Sequence, residues 1–119
     1  MNAQCRTLFG PTAVLFVVIG AAPGCAGEVD IFRDWVRARC IAVAAGDTVF
    51  GKDATASAGA HVERGSLPAE AYEAGEKAIA AALAKPLTGS VDVRFDTLKC
   101  LDLAASRDIG RLARRERRR

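Results

Sequence analysis

The chain has 119 residues, of which half are hydrophobic, and its formal net charge is +3 at pH 7. This length fits one domain with a modest core. Residues 26–110 hold 10 basic and 13 acidic side chains, whereas residues 111–119 hold six arginines and one glutamate. The overall charge therefore hides an acidic body and a basic tail. A terminal block of like charge is typical of a solvated, frayed end, which is our expectation for residues 111–119.

The first 26 residues have the composition of a secretory signal peptide. Arg6 precedes the apolar run Thr12–Ala22, and small residues follow. The run is shorter than the ~20 residues that cross a bilayer. We therefore expect residues 1–26 to be removed on export and residues 27–119 to form the mature domain. Cys25 leaves open a lipid-anchored form.

Helical signals dominate the mature sequence. Apolar residues spaced three or four apart, with capping residues and stops at glycine or proline, predict several helices. They cover roughly residues 30–45, 52–64 and 66–85, with a fourth from Asp96 and a last one capped by Ser106. The first helix should bury one stripe, made of Phe32, Val36, Cys40 and Val43. The pattern predicts an all-α, small single-domain bundle of about four to five helices.

Two cysteines, Cys40 and Cys100, remain once the leader is set aside. Two lone thiols in a small exported chain predict one long-range disulfide, which would join an early helix to a late one. Such a chain is more typical of a rigid binding scaffold than of an enzyme.

The mature sequence has few residues suited to catalysis or metal binding. His61 is the single histidine, and it could pair with Cys40 or Cys100 as a nucleophile and base only if that cysteine were free. No CxxC, HExxH or calcium-loop spacing is present. We therefore expect no catalytic residue, no metal, no cofactor and no small-molecule substrate. We also expect no nucleic-acid partner, since no aromatic residue interleaves the arginines and exported proteins rarely meet nucleic acid.

Several short segments, taken in order, match the pattern of one known family. They are Trp35 and Cys40, Ala56–Gly65 with Glu63, Pro68 with Glu70, Tyr72 and Glu73, Gly89-Ser90, Thr97–Leu103, and Ser106. The most specific segment is Leu98–Leu103 together with the upstream cysteine. In these segments the chain resembles the periplasmic immunity proteins that neutralise type VI secretion amidase effectors.

The resemblance implies a helical protein of the periplasm that binds, as a homodimer, a peptidoglycan-cleaving amidase with a catalytic cysteine and histidine. It implies that binding occludes the active site of that enzyme. The cysteine pair of the family corresponds to Cys40 and Cys100. The arginine-rich tail and the alanine-rich second and third helices depart from the usual pattern.

The expected contact surface combines a face of the third helix with the loop that follows it. Its candidate residues are Tyr72, Glu73, Glu76, Thr88, Gly89, Ser90 and Asp92. A helix face is rigid, and a narrow loop can enter a cleft. Two other classes of function stay open at this point: an envelope lipoprotein held through Cys25, and a small thiol-dependent enzyme.

Overall fold

The structure, a computed structural model, describes residues 27–119. Within this range the chain forms five helices and no strand. They are α1 (Glu28–Ala45), α2 (Val49–Arg64), α3 (Ala69–Ala84), α4 (Asp96–Ala105) and α5 (Arg107–Arg117). The predicted all-α bundle is thus confirmed, while the predicted signal peptide and Cys25 lie outside the described residues. None of these five helices is long and apolar enough to cross a membrane.

The starts of α1 and α2 differ from the sequence prediction. The N-cap of α1 is Gly27, so Asp30 lies in the first turn, where the helix dipole favours its charge, instead of capping the helix. The helix α2 begins before Lys52, because the Thr48 hydroxyl accepts a hydrogen bond from the N–H of Gly51 at 3.0 Å. Threonine is a common N-cap, so this signal was present in the sequence.

Ser66 joins the connection between α2 and α3 to the start of α1. Its N–H and its hydroxyl donate to the two carboxylate oxygens of Glu28, at 2.7 Å and 2.8 Å. The predicted helix start near Ser66 is therefore too early, since α3 begins after Pro68. A contact with a distant segment thus holds Ser66 outside α3.

The end of the chain is helical. The Ser106 hydroxyl accepts from the N–H of Ile109 at 3.3 Å, which confirms the predicted cap of α5. The helix continues to Arg117, with Ala113 and Glu116 buried against the bundle. The expectation of a frayed end for residues 111–119 is wrong, because one side of this segment packs while the arginines face solvent.

The helix α1 lies at the centre of the bundle and contacts each of the other four helices. Its buried side chains form the middle of the core, and residues of every other helix pack around them. The buried core residues are Phe32, Trp35, Val36, Cys40, Ala58, Leu67, Ala71, Ile79, Cys100, Ala104, Ile109 and Ala113. The prediction that Val43 is buried is wrong, since it is 43% exposed and Ala42 takes the buried position.

The predicted disulfide is present. Cys40 of α1 and Cys100 of α4 are bonded, with their Cα atoms 5.4 Å apart and both residues fully buried. The bond closes a sequence separation of 60 residues. In the chain-entropy model a loop of this size contributes about 4 kcal/mol to the free energy of unfolding. The bond fixes α4 to the central helix.

Arg33 of α1 holds the corner between α4 and α5. Its Nη1 donates to the carbonyl oxygens of Ala104 and Ser106, the second at 2.9 Å. The Ala104 carbonyl lies at the end of α4, where helix geometry leaves acceptors without helical partners. The Ser106 carbonyl also accepts from the N–H of Gly110 at 3.4 Å, so the guanidinium joins the end of α4 to the start of α5.

Candidate binding surface

The loop from residue 85 to 95 joins α3 to α4 and is the longest connection in the described part of the chain. All four predicted loop residues, Thr88, Gly89, Ser90 and Asp92, are exposed. Loops carried on a rigid scaffold are common binding elements. The structure thus gives this segment the accessibility that a contact role requires.

The base of the loop is held by Lys99, a buried lysine of α4. Its Nζ donates to the carbonyl oxygen of Leu83 at 3.2 Å and to Asp96 at 3.3 Å. The first contact satisfies a carbonyl at the end of α3, and the second lies at the start of α4. The ammonium group of Lys99 therefore joins the end of α3 to the start of α4, and the loop lies between these two helix ends. No role for Lys99 was predicted from the sequence, because its partner Leu83 lies 16 residues away along the chain, although Asp96 is only three residues away.

Asp96 is the second anchor of the loop. It accepts from the guanidinium of Arg94 and pairs with Lys99, and its side chain is 18% exposed. The hydrogen bond from Arg94 lowers the pKa of the Asp96 carboxyl; partial burial opposes this effect, and Lys99 adds to it. An ionised carboxylate in the first turn also suits the helix dipole of α4.

The loop is folded back on itself around Phe95. This residue has φ of 56°, in the left-handed region, and precedes the first residue of α4. A Cβ at Gly89 would lie 2.6 Å from the ring of Phe95, so the ring packs directly on the glycine backbone. Only glycine fits there without displacing the ring, so the two residues together fix the shape of the loop.

The tip of the loop, defined as Val91, Asp92 and Val93, combines two apolar side chains with one acid. Val91 is 57% exposed and Val93 is 56% exposed. Asp92 forms no ion pair with any residue of the described chain. Asp92 was among the contact residues predicted from the sequence, whereas Val91 and Val93 were not; apolar residues in a loop that follow no helical periodicity were the available signal.

The three predicted contact residues of α3, Tyr72, Glu73 and Glu76, have different environments. Tyr72 packs edge-on against Trp35 and Phe32, with ring centroids 4.9 Å and 5.8 Å apart, so much of its ring belongs to the edge of the core. Burial, with a smaller effect of the Glu28 carboxylate, raises the pKa of the Tyr72 hydroxyl.

Glu76 pairs with Arg39 of α1, whereas Glu73 is exposed and has no ion-pair partner within residues 27–119. Among the acids of this face, Glu73 is therefore the freer to meet a partner.

The two parts of the predicted surface lie far apart on one molecule. Tyr72 is in the first turn of α3 and the loop follows the last turn. At 1.5 Å per residue, the distance along the helix axis from Tyr72 to Ala84 is about 18 Å. The loop residues, which are neighbours in the sequence, therefore form one surface, and the α3 residues form a separate patch.

A second exposed apolar surface spans α2 and α4. Its large side chains are Val49, Phe50, Leu98 and Leu101, exposed by 88%, 63%, 47% and 44%. Phe50 and Thr97 line one cavity, and Thr97 lines the next one with Leu98 and Leu101. Because the two cavities share Asp96 and Thr97, Phe50 lies near Leu98 and Leu101, and we call these three exposed side chains the α2–α4 patch.

The thiol-dependent alternative is inconsistent with the cysteine chemistry. Cys40 and Cys100 are bonded to each other, and a disulfide sulfur is neither a thiolate nor a base-activated nucleophile. His61 lies on α2 beside Asp34, Arg37 and Ser57, at the rim of a shallow cavity. Among the described residues, no three histidine, cysteine or carboxylate side chains are grouped closely enough to hold a metal ion.

Comparison with solved structures gives the same fold. A chain of the Tae4–Tai4 effector–immunity system from Salmonella typhimurium is 27% identical, with a TM-score of 0.70, 76% of this chain covered and 89% of that chain. A chain of the Tae4–Tai4 complex from Enterobacter cloacae is 32% identical, with a TM-score of 0.67 and coverage of 79% and 98%. The complex of the Salmonella typhimurium effector Tae4 with the Enterobacter cloacae immunity protein Tai4 matches at 32% identity and a TM-score of 0.66, with coverage of 79% and 99%.

The sequence itself also matches a family model. The model is Tai4, the amidase immunity protein of the type VI secretion system, and it matches residues 30–113. No curated protein sequence matches the chain significantly. The matched residues include all of α2, α3 and α4 and the disulfide. The chain therefore belongs to the family of type VI secretion system amidase immunity proteins.

Proposed function

We propose that this protein binds a type VI secretion peptidoglycan amidase and inhibits it by inserting the tip of the α3–α4 loop into its active-site cleft. The proposal rests on the exposed tip of this loop. The base of the loop is held by Lys99 and Asp96, and its interior is packed by the Phe95 ring on Gly89. Because the loop is already shaped, little conformational entropy is lost on binding. The protein itself is proposed to hydrolyse nothing and to need no cofactor.

The chemistry of the tip suits a catalytic cleft. Val91 and Val93 supply apolar area that desolvates on contact, and Asp92 supplies a charge that can meet a cationic group. A central apolar contact ringed by polar residues is the usual arrangement of a strong interface. Thr88 and Ser90 extend the polar rim of this contact.

The patch on α3, made of Tyr72, Glu73 and Glu76, is proposed as a second and smaller contact. Glu73 is its most accessible charge. Tyr72 offers the effector only the edge of a ring that packs on Trp35. We expect Tyr72→Ala to weaken inhibition chiefly through loss of packing, whereas Asp92 acts through direct contact.

We propose that the working form is a periplasmic homodimer, exported by residues 1–26 and assembled through the α2–α4 patch. Isologous dimers bury self-complementary apolar surfaces, and Phe50 and Leu101 supply large ones. Light scattering of Leu101→Asp and Phe50→Asp should give a monomer. A dimer that survives both changes would exclude this face.

The function is tested by mixing the purified mature protein with the amidase encoded beside it and measuring cell-wall cleavage. We expect full inhibition by wild type and a weakening of at least tenfold for Asp92→Lys, because a like charge would face the cationic site. Glu63→Lys is the matched control, since Glu63 is an exposed acid on α2. No inhibition by wild type would refute the function, and full inhibition by Asp92→Lys would refute the tip as the blocking element.

A further inference from the structure

The basic end of the chain forms a stripe along α5 and its C-cap residue, Arg118, whose φ and ψ are still helical. Arg107, Arg111, Arg114 and Arg118 are all exposed and follow one another at intervals of four, three and four residues. At 100° per residue these positions fall within about 60° of the helix circumference, over a length of about 16 Å. We call them the arginine stripe. The packed residues Ile109, Ala113 and Glu116 lie on the opposite side of the helix.

The charge of the stripe is largely uncompensated. Arg111 pairs with Asp108 at 3.5 Å, and both side chains are more than 70% exposed. The other three arginines form no ion pair with any residue of 27–119. Exposed pairs contribute little, so even the charge of Arg111 is effectively open.

A further guanidinium lies beside the stripe. A Cβ at Gly110 would lie 2.6 Å from Arg33 Nη2 and 3.3 Å from Arg114 Nη1, so the two groups are side by side over this glycine. Arg33 is held there by the carbonyl oxygens of Ala104 and Ser106. The guanidinium groups of Arg33 and Arg114 repel each other, and an anion between them would be favoured.

The composition of the stripe is typical of an electrostatic contact. It differs from the hot spot of a protein–protein interface, which contains large apolar or aromatic side chains. None of the exposed large apolar residues of the described chain lies on α5. Protein interfaces need a desolvated apolar or aromatic centre, whereas a charged membrane surface attracts basic residues without one. The four positions are exposed and lie on the side of α5 opposite its packed residues, so the stripe is open to a charged surface.

We infer that the arginine stripe of α5 binds an anionic phospholipid surface and holds the protein at the membrane. The proposed export gives access to such a surface, but the inference does not depend on inhibition of the amidase. The bound molecule would lie with α5 on the lipid headgroups and the rest of the bundle, whose residues up to Ser106 carry a net negative charge, away from them.

Vesicle co-sedimentation of the mature protein tests the inference in the absence of the amidase. The probe is vesicles of equal parts phosphatidylglycerol and phosphatidylcholine, compared with pure phosphatidylcholine. We expect binding to the first only, and a decrease as salt shortens the Debye length. Each arginine at such a surface raises the partition coefficient about fivefold. The double variant Arg114→Gln with Arg118→Gln should therefore lower the partition coefficient roughly 10- to 30-fold.

The matched control is Lys52→Gln with Arg64→Gln, which removes the same charge from exposed positions of α2. It should bind as wild type does. Circular dichroism of each variant establishes that the helices are intact. Equal binding to both vesicle types, an unchanged stripe variant, or an equal loss in the control would each overturn the inference. Tighter binding to duplex DNA than to the anionic vesicles would overturn it in favour of a nucleic-acid surface.

Discussion

At the residue scale, a few single contacts determine the form of the α3–α4 loop. The Phe95 ring lies on Gly89, Lys99 joins the end of α3 to the start of α4, and Asp96 receives the guanidinium of Arg94. None of these residues is at the tip. They hold the base of the loop and pack its interior, and a loop held in this way loses less entropy when a partner binds.

The contact between Gly89 and Phe95 predicts the effect of adding one methyl group. In Gly89→Ala the new Cβ would overlap the ring, so the loop must change shape. We expect inhibition to weaken roughly five- to tenfold, which corresponds to about 1 kcal/mol of binding energy. The inhibition constant is the measurement.

Gly59→Ala is the control for that change. A Cβ at Gly59, in the middle of α2, would have no atom within 4 Å. Alanine is the better helix former, so the free energy of unfolding should rise by about 0.5–1 kcal/mol. Its inhibition constant should equal that of wild type. If Gly89→Ala inhibits equally well, the loop shape is not important for binding.

Local contacts of this kind were predictable from the sequence, and distant ones were not. The Ser106 cap was predicted because its partner, Ile109, lies three residues away. The bond between Glu28 and Ser66 spans 38 residues, and that between Lys99 and Leu83 spans 16. Nothing in the local sequence specifies such partners, so both the start of α3 and the anchor of the loop were missed.

At the scale of the helices, packing overrides local charge. Residues 111–119 carry a dense block of like charge, which alone favours a frayed end. Residues 111–117 nevertheless form the second half of α5, because Ala113 and Glu116 face the bundle and Glu116 pairs with Arg115 and Arg119. The existence of the helices was predictable from apolar spacing, whereas the fate of the tail depended on tertiary contacts that a sequence window does not contain.

The start of α4 has a predicted pH dependence. The pKa of Asp96 is lowered in the folded state, so its ionised form stabilises the fold above the ordinary carboxyl pKa near 3.9. This stability is lost as the pH falls through the folded-state pKa. Asp96→Asn should therefore be less stable than wild type at pH 7, with the difference disappearing in strong acid.

Urea unfolding at a series of pH values measures this difference. Asp108→Asn is the control, because Asp108 is 89% exposed and its pair with Arg111 should contribute little. A constant difference between wild type and Asp96→Asn from pH 7 into strong acid would contradict the assigned role of Asp96.

At the scale of the whole molecule, one covalent bond secures a small core. The disulfide joins the central α1 to α4, and α4 carries both anchors of the loop. The pairing was predictable because residues 27–119 contain two cysteines. The position of the loop relative to the α3 patch was not, since it depends on the length of α3 and on where the loop leaves it.

Loss of that bond should destabilise the whole bundle. Cys100→Ser is expected to lower the free energy of unfolding by about 2–5 kcal/mol, the usual range for a native disulfide. Urea unfolding with and without reductant measures it, and wild type in reductant should resemble the variant. A variant lacking both cysteines should not respond to reductant. Equal stability of wild type in both conditions would show that the bond contributes little.

In the proposed complex, the tip of the α3–α4 loop occludes the active site of the amidase. The most direct measurement is the rate at which a small alkylating reagent modifies the catalytic cysteine that the family resemblance implies for that enzyme. We expect saturating mature protein to slow this modification at least tenfold, and Asp92→Lys at the same concentration to restore much of the rate. Modification at the full rate in a complex that no longer cleaves cell wall would contradict occlusion and would place the inhibitory contact away from the active site.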